Sequence, residues 1–266
     1  MLSTLPLPLT VGFAGLLVLL VLGSVAAIVL PRIKPGKWDD LVPRMRSWWV
    51  ICLLVGGALI LGWQVFTILF AFISFIALKE FMTLAPTRRE DRLVVLFAYI
   101  ALVASYFAVW INNYAYFLVT IPVYVFLLTA LLLTLSGRTE GFLATAGIMQ
   151  WAMVVCVFNL GHVAFLMRVP AEEVPQAGPA GLVFLLILIT QLNDVTQYVW
   201  GKLLGRHKIS PRISPNKTWE GAIGGFLTTA LVFVCLAPYF TPLTLWPSIW
   251  VGLTLPVFGF FGDITM

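Results

Sequence analysis

Apolar residues in this chain fall in long unbroken runs separated by short polar punctuation. The runs are about as long as the roughly 20 residues a helix needs to cross a bilayer. Nine such segments stand out, at about 9–30, 48–62, 65–84, 93–110, 114–135, 142–167, 181–204, 222–240 and 248–266. The second is short, and only Gly62-Trp63-Gln64 separates it from the third. A tight hairpin and one long kinked segment both fit that spacing. The first run, Val11 to Leu30, follows ten residues without Lys or Arg. It lacks a positive leader and exceeds a signal-peptide core, so it reads as a membrane helix.

Composition narrows the class further. Length alone would allow one or two soluble domains. However, 61% of the 266 residues are hydrophobic and only 10% are charged, against about 25% charged in a globular domain. So few charges cannot cover a soluble surface, and so much apolar surface excludes disorder. The expected fold is all-α: a polytopic integral membrane protein forming a single membrane-embedded domain over residues 1–266. Cys52, Cys156 and Cys235 are widely spaced in apolar runs and form neither a C-x-x-C nor a disulfide pattern.

The net charge of +5 acquires meaning from its placement. Fifteen of the sixteen Lys and Arg fall in odd-numbered connections, and Arg168 alone falls in an even one. By the positive-inside rule the odd connections are cytoplasmic, the N-terminus is outside, and the loop at 205–221 is cytoplasmic. The expected location is a bacterial inner membrane. The same parity favours a true turn at Gly62, because merging the second and third spans would scramble it. Nucleic acid is not an expected partner, and a homodimer is left open. Arg32, Lys34, Lys37, Arg44 and Arg46 crowd the first connection, with Trp38, Trp48 and Trp49 around them. The tryptophans read as interfacial anchors, and Arg44 and Arg46 as attraction for an anionic lipid headgroup.

Asp194 and Asp263 are the acidic residues lying within spans away from a charged loop. An ionisable group in a membrane is costly, which makes it a functional-site candidate. At helical spacing Thr190, Gln191, Asp194, Gln197 and Gly201 share one face. That stripe runs into GRHKISPRISPNKTWEGAIGG, residues 205–225. Ser214-Pro215 is a good helix start, with a hydroxyl at the N-cap and proline next. The eighth span would then begin near Pro215, presenting free backbone N–H groups, Lys217 and the Thr218 hydroxyl to a phosphate. Glu220 adds an acceptor or a metal-linked carboxylate. Gly221, Gly224 and Gly225 suit close helix packing. This is not a Walker A loop, because Lys217-Thr218 lacks the preceding glycine pattern. His162 reads as structural and His207 as a solvated loop residue.

The stretch NDVTQYVWGKLLGRHKISPRISPNKTWEGAIGG, residues 193–225, resembles the phosphatidate cytidylyltransferase family, also called CDP-diacylglycerol synthases. It matches that family's Asp-x-x-(Ala/Gln)-Tyr, Gly-Lys, Gly-(Arg/Lys)-His-Lys and Ser-Pro-x-Lys-Thr-x-Glu-Gly pattern. FFGD at 260–263 resembles the Gly-Asp that opens the family's C-terminal signature. The resemblance implies conversion of phosphatidate and CTP to CDP-diacylglycerol and pyrophosphate, with Mg²⁺ or another divalent cation. It implies catalytic roles for Asp194, Asp263 and Lys217, with Asp194 and Asp263 as metal ligands. Lys208, Ser214, Asn216, Lys217, Thr218 and Glu220 would bind substrate. Asn193 and Thr196 depart from the small or apolar residues common in the family. The rest of the family signature has no counterpart after GDIT, so the chain is expected to be C-terminally incomplete and inactive alone. Competing readings are a CTP-dependent lipid kinase and a transporter with an Asp194 relay.

Overall fold

The computed structural model describes residues 5–33, 36, 38, 40–85, 92–137, 140–211 and 214–265. Among these residues, nine helices are long and apolar enough to cross a membrane: α1 Leu7–Ile33, α2 Leu41–Leu61, α3 Trp63–Leu84, α4 Arg92–Trp110, α5 Tyr114–Leu135, α6 Phe142–Leu166, α7 Gly178–Leu204, α8 Trp219–Phe240 and α9 Leu245–Thr265. In lipid every backbone N–H and C=O must be paired within the protein, which is why apolar runs of this length become helices. The chain is therefore an all-α polytopic membrane protein. Lys34, Lys37, Arg88, Arg89, Arg138 and Arg212, used above in the charge count, lie outside the described residues.

The helices nearly reproduce the apolar runs, with one substantial difference. The second span, expected over 48–62, begins at Leu41. Its first turns carry Arg44 and Arg46, which hydropathy places outside a span but which a helix extends past the bilayer without penalty. The Gly62 turn is real. Gly62 adopts φ +106° between α2 and α3, a conformation that L side chains rarely enter.

Contacts divide the chain into two compact units. One runs from Gly57 to Val169. It contains α3 to α6, and short π-helical stretches interrupt α5 at Thr120–Val125 and α6 at Val154–Phe158. Tyr106 donates to the Phe70 carbonyl at 3.0 Å and lies 2.6 Å from the Ser74 hydroxyl, tying α4 to α3. His162 Nδ1 contacts the Phe158 carbonyl at 2.9 Å, and its ring packs edge-on to Phe117 and Phe158. That is a structural histidine.

The other unit comprises residues up to Gly56 and those from Pro170 onward. Its centre is α7. Glycines let α8 lie directly against it: a methyl group at Gly225 would overlap Gln197 Cγ and sit 3.0 Å from the Gln197 backbone nitrogen. At Gly224 it would fall 2.6 Å from the Trp200 ring. The departures noted at Asn193 and Thr196 are interhelical ties. Asn193 Nδ2 donates to the Pro256 carbonyl of α9 at 3.1 Å, and the Thr196 hydroxyl lies 3.2 Å from that of Thr229 on α8.

Between α7 and α8 the chain forms a two-stranded antiparallel hairpin. Strand β1 is Lys208–Ser210 and β2 is Ser214–Thr218, with Lys208 opposite Thr218 and Ser210 opposite Ser214. This corrects the expected helix start at Ser214-Pro215. A residue before proline is driven into extended backbone, so Ser-Pro suits a strand as well as an N-cap, and pairing with β1 decides between them. The actual N-cap is Thr218, extended at φ −126°, whose hydroxyl accepts from Gly221 N–H at 3.2 Å.

Candidate active site

The strand geometry separates residues that adjoin in sequence. Successive side chains of a strand point to opposite faces, so Lys217 and Thr218 diverge. Thr218 is buried in a notch of glycines: a methyl group would fall 2.8 Å from its Oγ1 at Gly205, 3.0 Å at Gly221 and 3.3 Å at Gly201. Its hydroxyl is occupied by capping. The Trp219 N–H is also taken, by the His207 carbonyl at 3.0 Å. The start of α8 is thus closed by its own chain rather than left as the open phosphate cradle expected from the sequence.

Glu220 has an equally local set of partners. Its carboxylate accepts from the backbone N–H groups of Arg206 at 3.1 Å and His207 at 3.2 Å, and lies 2.6 Å from His207 Nδ1. It clasps the start of the hairpin to the start of α8, and a carboxylate there also suits the positive helix end. Lys208 and Asn216 are exposed on the hairpin, and Ser214 is half-buried.

Lys217 points elsewhere. Its Nζ lies 2.6 Å from Asp263 Oδ2, in the last turn of α9, and 4.7 Å from the Phe260 ring centroid. The lysine side chain is 19% exposed and the aspartate 54%. Asp194, accessible on α7, is within electrostatic range of Asp263, Lys217 and Arg44. Of the three residues singled out from the sequence, Lys217 and Asp263 therefore meet directly, a strand against a helix, while Asp194 on α7 lies within electrostatic range of both without a contact to either. Among the described residues no three His, Cys, Asp or Glu side chains gather as a metal cluster. The protein offers this centre two carboxylates beside a buried ammonium.

The polar stripe on α7 splits. Gln197 and Gly201 face α8, as the glycine contacts show, and the Thr190 hydroxyl bonds back to the Leu186 carbonyl. Asp194 shares its face with Tyr198 and Lys202, at successive four-residue steps. Tyr198 and Lys202 meet a residue that sequence reasoning missed. Asp40 accepts from the Tyr198 hydroxyl at 2.7 Å, lies 3.5 Å from Lys202 Nζ, and accepts from Arg44 Nε at 3.3 Å. Burial pushes the Asp40 carboxyl up, but the Tyr198 hydroxyl and the Lys202 and Arg44 charges prevail and hold it below its ordinary value. Trp38, expected as an interfacial anchor, is instead buried with its ring 6.0 Å from Tyr198.

The nine long apolar helices among the described residues define a polytopic integral membrane protein, with charged residues of α7, the hairpin and the last turn of α9 grouped beside one another. Its lineage is equally definite: the profile of the cytidylyltransferase family matches residues 42–266, and the chain belongs to that family. Across 260 residues it is 35% identical to "Uncharacterized protein YnbB" of Escherichia coli (strain K12), covering 96% of this chain and 84% of that one. It is 39% identical over 88 residues to a phosphatidate cytidylyltransferase of Staphylococcus haemolyticus (strain JCSC1435). Over 88 residues it is 41% identical to one of Staphylococcus aureus (strain COL). Each of these two matches takes in 32% of this chain and 34% of the relative.

Proposed function

We propose that this membrane nucleotidyltransferase joins CTP to phosphatidate, giving CDP-diacylglycerol and pyrophosphate, at the cytoplasmic face of a bacterial inner membrane. The observation that carries this reading is the Lys217–Asp263 pair, with Asp194 in electrostatic range of it, in a chain of the cytidylyltransferase family. The partial relatives named phosphatidate cytidylyltransferase supply the lipid acceptor. The fifteen-to-one asymmetry of Lys and Arg supplies the orientation.

In this reading a phosphatidate oxygen attacks the α-phosphorus of CTP, the bond from that phosphorus to the β-bridging oxygen breaks, and pyrophosphate leaves. Both reactants are anionic, so positioning and charge neutralisation dominate. Lys217 neutralises nucleotide phosphate oxygens by exchanging its bond to Asp263 for one to the ligand. Lys208 and Asn216, exposed on the hairpin, and Ser214 extend that contact, while Thr218 and Glu220 hold the hairpin in shape. Asp194 and Asp263 fit Mg²⁺, which characteristically takes one or two carboxylates and completes its shell with water and substrate phosphates. When bound, that ion would offset the charge the two phosphates bring together.

The test is incubation of the purified protein with radiolabelled CTP, phosphatidate and Mg²⁺ in mixed micelles. CDP-diacylglycerol and pyrophosphate in equal amounts support the assignment. Release of CDP would identify a CTP-dependent lipid kinase instead, and CTP-independent substrate flux in liposomes would identify a transporter.

A further inference from the structure

The Asp40 cluster is assigned no role by the reading above, and its composition points to one. Asp40 carries one negative charge and gathers two positive ones, Arg44 and Lys202. Both cations are accessible, the Arg44 side chain 50% exposed and that of Lys202 33%. Arg44 meets Asp40 through Nε at 3.3 Å, a bond that leaves the guanidinium with further N–H donors. Its guanidinium carbon lies 4.7 Å from the Tyr198 ring centroid, a cation–π contact that adds a second hold on the side chain. A planar fork of this kind matches the oxygens of a phosphate.

The surroundings restrict what carries that phosphate. Arg44 sits in the first turn of an apolar helix. Seven and ten residues on, Ile51 and Leu54 share its face and are 39% and 54% exposed. An anionic head bound at Arg44 has apolar protein surface leading away from it into the membrane. Asp194 lies on the same helix face as Tyr198 and Lys202, one and two turns before them, and within electrostatic range of Arg44.

We infer that Arg44 and Lys202, ordered by Asp40 and Tyr198, form a lipid phosphomonoester subsite distinct from the Lys217–Asp263 limb. Tyr198 and Asp40 are positioning residues: neither touches the lipid, and both fix where Arg44 points. This inference rests on the proposed use of phosphatidate and CTP, and it divides the two substrates between two sets of cations.

The test separates binding from turnover. Phosphatidate affinity is measured on the purified full chain in phosphatidylcholine nanodiscs without nucleotide, and CTP affinity by calorimetry on the same samples. We expect Arg44→Ala to weaken phosphatidate binding tenfold or more while leaving CTP affinity within twofold. Lys217→Ala should do the reverse. Tyr198→Phe, which keeps the ring and its packing, should weaken phosphatidate binding severalfold, and Arg44→Lys should restore part of what Arg44→Ala loses. Equal loss of both ligands in Arg44→Ala would overturn the inference, as would unchanged phosphatidate affinity. Displacement of phosphatidate by equimolar inorganic phosphate would also overturn it, because a site for the lipid must prefer the lipid. Arg44-dependent phosphatidate binding without CDP-diacylglycerol formation would sink the proposed reaction and leave the subsite standing. Turnover with Arg44-independent lipid affinity would do the opposite.

Discussion

Lys217 Nζ stands 2.6 Å from Asp263 Oδ2, joining a strand of the hairpin to the last turn of the final helix. The pair is asymmetric. The lysine is largely enclosed and the aspartate is open, so an arriving anion can take the lysine while Asp263 turns to a cation. Lys217→Ala should raise the KM for CTP by roughly 10- to 100-fold, the equivalent of a charge-assisted hydrogen bond of about 1.5–3 kcal/mol. The KM for phosphatidate should change much less. Steady-state kinetics with each substrate varied in turn check this, and parallel rises in both would count against a nucleotide role.

Asp194 has no ion-pair partner of its own among the described residues, yet it feels Asp263, Lys217 and Arg44 together. Replacing it with Asn keeps the shape and removes the charge. Asp194→Asn should reduce kcat by about 100-fold or more, as removal of a single preorganised electrostatic group does elsewhere. Membrane insertion should be unaffected, since it depends on the apolar spans and flanking cations. Activity across a Mg²⁺ titration, compared with the amount of protein in washed membranes, distinguishes the two effects.

The α7–α8 contact is fixed by small residues, and its sensitivity follows from distance. At Gly225 an added methyl group meets the Gln197 backbone nitrogen at 3.0 Å, not only a flexible side chain. Gly225→Val should destabilise the protein by about 1–3 kcal/mol, the usual cost of overpacking. Gly15 has open space around it, so Gly15→Ala should be close to neutral. Thermal unfolding in detergent compares the pair.

Much of this architecture was legible before the structure. Spans of about 20 apolar residues admit few alternatives to membrane helices, and the Gly62 turn followed from charge parity. The motif at 193–225 and the Gly-Asp at 262–263 singled out Lys217 and Asp263, which form a direct ion pair, and Asp194, which lies within electrostatic range of them. Two features were not legible, for separate reasons. Ser214-Pro215 satisfies the local rules for both a helix start and an extended strand, and pairing with Lys208–Ser210 decides it. Asp40 looked like one more polar residue in a basic connection. Its partner Tyr198 lies 158 residues away, and no local pattern announces such a pairing.

Orientation has a direct check. If the basic connections are cytoplasmic, a cysteine placed at Ser210, beside the hairpin turn, should resist impermeant maleimide added to intact cells and react after permeabilisation. Cys235 is exposed on α8, so the measurement belongs in a background where Cys52, Cys156 and Cys235 are replaced. Labelling at position 210 from outside would invert the topology and remove CTP, a cytoplasmic nucleotide, from reach of Lys217.

The Glu220 clasp makes the last prediction, because it separates a residue that binds substrate from one that shapes the binder. Glu220 accepts from the Arg206 and His207 backbone N–H groups and contacts the His207 ring. Trp219 N–H meanwhile bonds the His207 carbonyl. Residues 206 and 207 are therefore held at several points to the first turn of α8, and the strand that carries Lys217 closes the same loop. Glu220→Ala removes the acceptor and leaves two backbone N–H groups to water. The hairpin should loosen, with faster amide hydrogen exchange across 206–218 and unchanged exchange within α7. The KM for CTP should rise because Lys217 is less well placed. Glu220→Gln keeps an acceptor oxygen and should recover most of the exchange protection and much of the CTP affinity. A residue bound directly to a metal ion would behave differently: the Gln variant would fail as completely as Ala, and hydrogen exchange would not distinguish either variant from the parent.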